Sequence, residues 1–109
     1  MTAVVVLGAW NNLGAALQEV RRFEEAIDAH TRAREAFQQM GDAHGEAMAW
    51  NNLGLALQEV RREQEAREAF ERAVQGFRAV GDEHRLAVAQ GGLVQFRQRP
   101  RRWWRFWER

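Results

Sequence analysis

Few side chains in this 109-residue sequence have the type and spacing to do chemistry. Three histidines, His30, His44 and His84, are the only candidates for a metal ligand or a general base. His44 and His84 each follow an aspartate by two positions. That places them in a helix's first turn, facing a neighbouring helix or solvent. His30 reads as a half-buried, hydrogen-bonded ring and not as a ligand. Cysteine is absent, which removes a thiolate metal site and a disulfide framework. No glycine-rich phosphate loop, pair of catalytic carboxylates or nucleophile–base set is visible. The sequence therefore points to no catalytic residue, no metal and no cofactor. What remains is a set of neutral amides at Asn11, Asn12, Gln18, Asn51, Asn52 and Gln58. Each offers hydrogen-bond donors and acceptors together.

Those amides recur because a phrase recurs. Residues 10–20 read Trp-Asn-Asn-Leu-Gly-Ala-Ala-Leu-Gln-Glu-Val, and residues 50–60 repeat them with Leu55 in place of Ala15. The same offset relates Gly41-Asp42 to Gly81-Asp82, His44 to His84, and Ala26, Ala33 and Phe37 to Ala66, Ala73 and Phe77. Self-similarity with a period of about 20–50 residues marks a stacked-repeat architecture.

The elements that carry the phrase follow from periodicity. Val6, Trp10, Leu13, Leu17 and Val20 fall at spacings of three and four, predicting a helix from residue 3 to about 20. A second helix is expected over Phe23–Met40, a third over Ala43–Val60, a fourth over Glu63–Val80, and a fifth from Glu83 to just before Pro100. Gly41 and Gly81 suit the left-handed residue that ends a helix. Asp42 and Asp82 suit the N-cap of the next one. Gly14 and Gly54 lie inside helices, where glycine costs about 1 kcal/mol relative to alanine, so another helix is expected to cross close to them. Met40 and Met48 read as core fillers. The short corners make consecutive helices antiparallel neighbours.

This pattern resembles the tetratricopeptide repeat. Trp10, Leu13, Gly14, Leu17, Ala26, His30 and Ala33 occupy its signature positions, and Trp50, Leu53, Gly54, Leu57, Ala66, Phe70 and Ala73 occupy them again. The departures are a period of 40 where the family has 34, Gly-Asp in place of the terminal proline, and Arg21 and Arg61 at the corner glycine. The 40-residue form with Asn-Leu-Gly is similar to the arrays of Leu-Gly-Asn/Pins-type adaptors and of bacterial, especially actinobacterial, regulators. The all-arginine basic residues favour the bacterial group. The resemblance implies an all-α fold of antiparallel helix-turn-helix repeats stacked as a short right-handed α-solenoid. It implies one repeat at about 3–40, a second at about 43–80 and a partial third at about 83–98. It also implies a protein–protein interaction module without enzymatic activity, a fragment of a larger scaffold or regulator, that holds a peptide or helix in its concave groove. The residues it places there are Asn11, Asn12, Ala15, Gln18 and Glu19, then Asn51, Asn52, Leu55, Gln58 and Glu59. Asn12 and Asn52 could instead bond an adjacent helix.

The third copy breaks down. Gln90-Gly91-Gly92-Leu93 stands where Trp-Asn-Asn-Leu is expected. Residues 97–109 carry six arginines and one glutamate, against ten arginines and fourteen acids before them. A mildly acidic body thus precedes a basic tail, residues 99–109. The tail reads as an end cap, as an altered reading frame, or as a membrane or nucleic-acid element. In the last case Arg101, Arg102, Trp103, Trp104, Arg105 and Trp107 would make the contact, since indoles favour the bilayer interface and aromatics between arginines suit single strands. Natural arrays end in polar caps, whereas Val4–Leu7 and Val94–Phe96 leave both ends apolar. The ends are expected to be covered by another copy, by the swapping of a helix pair or by the remainder of a longer protein, and of these a homo-oligomer joined through the terminal helices is favoured. The apolar start lacks a basic leader and is too short to span a bilayer, which points to the cytoplasm.

Overall fold

The structure, a computed structural model, describes residues 3–98, and side chains for residues 9–95. Five helices follow one another: α1 (Ala3–Glu19), α2 (Phe23–Met40), α3 (Ala43–Glu59), α4 (Glu63–Val80) and α5 (Glu83–Gln98). They agree with the periodic stripes, and Val60 falls just outside α3 as its C-cap.

Corners of two kinds join them. After α2 and α4 the chain turns on Gly41 (φ 73°) and Gly81 (φ 75°), whose N–H groups bond the last carbonyls of the helix. The next helix then starts under an aspartate. Asp42 accepts from the N–H of Gly45 at 2.9 Å and Asp82 from that of Arg85 at 3.0 Å, so each satisfies an orphan donor. After α1 and α3 the same left-handed backbone is imposed on Arg21 (φ 63°) and Arg61 (φ 62°). Side chains disfavour that region by about 1–2 kcal/mol. The residues that follow, Arg22 and Arg62, make two-bond pairs with Glu25 and Glu65.

Alanines let the helices close in. Ala26, Ala29 and Ala33 of α2 and Ala66, Ala69 and Ala73 of α4 are buried. The bulk comes from Leu53, Leu57, Phe70 and Phe77, with Trp50 and Leu93 packed against them. Phe70 is clasped by two glycines, since a Cβ on Gly54 would come 2.9 Å from its ring and one on Gly92 2.8 Å. The close crossing expected at Gly14 and Gly54 is thus made by a ring from the following helix: His30 in the first case, Phe70 in the second.

Each helix packs on its chain neighbours, and α3 also touches α1 and α5, whereas the α2 and α4 backbones do not approach one another. The stack is tight along α1, α3 and α5 and open along α2 and α4. It bends with the first helix of each pair on the inside. This is an all-α, tetratricopeptide-like α-solenoid.

Two packing expectations are corrected. Met40 is 47% exposed, because α2 ends there and Gly41 carries the chain away. Leu13 is 45% exposed while its repeat equivalent Leu53 is 6% exposed; Leu53 packs with Ile27 of α2, and no helix among the described residues stands in that place for Leu13.

Candidate functional site

The inner face of the bend is where the repeated amides come together. Asn11 and Asn52 meet between α1 and α3, the Asn52 amide donating to the Asn11 side-chain oxygen at 2.8 Å. Of the two asparagines that might tie adjacent helices, Asn52 does so and Asn12 is exposed. Gln58 donates to Gln95 at 3.1 Å, joining α3 to α5. Gln18 is drawn the other way, with its oxygen 3.3 Å from His30 Nε2. Ala15, Glu19, Leu55 and Glu59 are exposed. The inside of the bend thus offers a neutral strip of amides edged by carboxylates. Arg101, Arg102, Trp103, Trp104, Arg105 and Trp107 lie outside the described residues.

Asn51 differs from its equivalent Asn11. Its side-chain oxygen is buried and has no hydrogen-bond partner among the described residues. By the repeat, its donor would be residue 92, which is Gly92. The breakdown at Gly91-Gly92 was plain in the sequence; that it leaves an acceptor open was not. That oxygen's residue lines a cleft of about 160 Å³ with Met48, Asn52, Phe77, His84, Arg85 and Val88. Of these, Phe77, Arg85 and Val88 carry no sequence signal for a site.

Two histidines sit as their sequence positions predict, and one does not. His44 faces a neighbour as expected: its Nε2 lies 2.9 Å from the Asp82 carboxylate, and its ring meets Phe77 edge-on. The Asp82 carboxyl is held below the usual carboxylate range, first by the Arg85 backbone N–H and then by His44. His84 is exposed. His30 is the correction, being fully buried and not half-buried. Its Nδ1 has no partner among the described residues. Desolvation pushes its pKa from 6.5 down to about 4, so the ring is neutral at pH 7. Gly14 makes room for this ring, which is why a histidine bonded only through Nε2 can sit so deep.

The signature tryptophans are held by arginines on their outer side. Arg32 lies over Trp10 at 5.2 Å, and Trp50 takes Arg34 at 4.6 Å and Arg72 at 5.4 Å. Such contacts stabilise by about 0.5–1 kcal/mol at exposed sites. Arg34 comes from the preceding hairpin, so this contact also fixes how one hairpin sits on the next.

Among the described residues no group of three or more His, Asp or Glu side chains is placed to hold a metal ion. Among them, too, no helix is long and apolar enough to cross a membrane. The sequence profile of one family, the tetratricopeptide repeat, matches residues 5–79. No curated protein matches the chain.

Proposed function

The chain belongs to the tetratricopeptide repeat family, whose repeats generally mediate protein–protein contact, and from this we propose that its inner face holds an extended or helical peptide. The observation that supports this reading is the amide strip on the inside of the bend, with Asn11, Asn51, Asn52 and Gln58 on the helices that form it. Amides recognise a peptide backbone through donors and acceptors together, whatever its side chains. Among the described residues no cluster of arginines stands on this strip, so capture of a C-terminal carboxylate there is disfavoured. The module acts within a larger scaffold or regulator in the cytoplasm, of the bacterial kind, and needs no chemistry of its own.

Isolated copies associate through the two ends of the stack. Leu13 at one end and Val88 and Val94 at the other are 45%, 54% and 43% exposed, which is the surface a further helix pair covers in a longer array. Light scattering at tens of micromolar is expected to give a dimer or larger. A monomer with a cooperative melt removes that part of the reading.

The groove itself is tested by Asn11→Ala combined with Asn51→Ala. Affinity for peptides selected on the wild-type protein is expected to fall while helicity stays constant. Unchanged affinity rejects the groove.

A further inference from the structure

The second hairpin shows what the first one lacks. Three of its groups take a partner from α2, the helix before it. Ile27 packs against the core cluster of Leu53 and Leu57. The guanidinium of Arg34 lies over the Trp50 ring at 4.6 Å. The Glu24 carboxylate lies 3.6 Å from Arg62. The matching groups one repeat earlier are Leu13, Trp10 and Arg22. Among the described residues none of them has such a partner. Leu13 is 45% exposed, and Trp10 is only partly buried. Trp10 keeps Arg32, the counterpart of the Arg72 that lies over Trp50. Arg22 keeps Glu25, the counterpart of Glu65 beside Arg62.

The repeat thus specifies the helix that would complete this end. Glu24, Ile27 and Arg34 follow at spacings of three and seven, which puts them on one side of a helix with 3.6 residues per turn. Each answers a different need. An aliphatic side chain removes Leu13 from water, a guanidinium is attracted to the Trp10 indole, and a carboxylate pairs with Arg22. A second copy of this chain does not carry that side on its last complete hairpin. Its α4 has Gln64, Arg67 and Val74 at the three positions. It would set an arginine against Leu13 and leave Trp10 and Arg22 unanswered. In α2 the matching side is already taken by α3. Copies that associate at this end would therefore do so α1 to α1.

We propose that the open side of the first hairpin, at Trp10, Leu13 and Arg22, docks an amphipathic helix of a different protein. That helix carries a carboxylate, an aliphatic residue three positions later and an arginine seven beyond that. The surface lies at the end of the stack and does not rest on the groove reading.

The probe is a synthetic helix of the length of α2 that keeps only its Glu24, Ile27 and Arg34, with alanine, glutamine and lysine elsewhere. It is titrated into the full chain and followed by NMR. Saturable shifts are expected at the Trp10 indole N–H and the Leu13 methyl groups, and not at the methyl groups of Val88 and Val94. Alanine in place of the probe's isoleucine should weaken binding about tenfold. Alanine in place of its arginine should weaken it about twofold to fivefold, the size of an exposed cation–π contact. Arg22→Glu should weaken binding, and a probe with arginine in place of its glutamate should recover it, which damage to the corner alone could not produce. A probe that copies Gln64, Arg67 and Val74 should not bind. The proposal is overturned if no saturable shifts are seen, if the copy of α4 binds equally well, if the shifts fall on Val88 and Val94, or if the charge exchange recovers nothing. Loss of the probe on combining Asn11→Ala with Asn51→Ala overturns it too, since the probe then lies on the inner face. If the probe binds and no groove peptide can be selected, the groove reading fails by itself.

Discussion

The imidazole of His30 occupies the space where Gly14 has no side chain; a Cβ on Gly14 would come within 2.5 Å of the ring. The fit buries the ring completely and leaves Nδ1 without a partner among the described residues.

Stability should therefore depend on pH in a defined window. The unfolded chain protonates His30 near pH 6.5 and the folded one only near pH 4. Between these values the unfolded state binds more protons, so stability falls as pH drops from 6.5 to about 4 and this source adds nothing further below. The full extent is about 3 kcal/mol. Urea melts at pH 7 and pH 4.5 measure it, and His30→Leu should flatten the difference. An equal difference in the variant means that another group titrates.

A second acid-sensitive limb lies lower. The Asp82 carboxyl is depressed by the Arg85 N–H and by His44, so its stabilising effect is complete above the ordinary carboxylate range and disappears as pH falls through the folded value. Asp82→Asn should leave the slope above pH 5 unchanged and reduce the slope below pH 4. A change only in the upper window would reassign the two limbs.

Glycines inside the helices should respond in opposite directions. Gly91 has nothing within 4 Å of a built Cβ, so Gly91→Ala should stabilise by about 0.5–1 kcal/mol. Gly54→Leu drives carbon into the Phe70 ring and should cost about 1–3 kcal/mol. Thermal melts of the two variants decide it, and a stabilised Gly54→Leu would mean that Phe70 moves freely.

Arg61 sits at φ 62° where the family commonly has glycine. Arg61→Gly relieves a conformation that disfavours side chains by about 1–2 kcal/mol, against about 0.5–1 kcal/mol of added chain entropy in the unfolded state. A net gain of up to about 1 kcal/mol is expected in denaturant melts. A loss would show that the side chain of Arg61 holds the corner.

Position 30 and position 52 should be coupled. His30→Phe copies the ring at Phe70, whose opposing residue is Gly92, so it should be tolerated better beside Asn52→Gly than beside Asn52. A double-mutant cycle should give an interaction of about 1 kcal/mol, within the range for residues in contact. Additive effects would separate the two sites.

Much of this fold was legible in the sequence because punctuation and periodicity act locally. Gly41-Asp42 and Gly81-Asp82 end one helix and cap the next through bonds to residues within a few positions in the chain. The candidate site was less legible because its properties depend on pairs far apart in the chain. Asn11 and Asn51 look the same in sequence, yet one is paired and the other open, because the position that matches the donor Asn52 is Gly92. The full burial of His30 is not legible in the sequence because it depends on a missing side chain at Gly14, sixteen positions earlier.

A chain that speaks the same phrase twice risks answering itself wrongly, since α2 and α4 could each settle on the other's groove. The ring pairs remove that ambiguity. Phenylalanine at 70 packs between bare positions on α3 and α5, Gly54 and Gly92; imidazole at 30 packs on Gly14, and the position matching Gly92 is Asn52. The mismatch between the two copies thus works as an address, giving each hairpin a ring of its own shape to present to its neighbours.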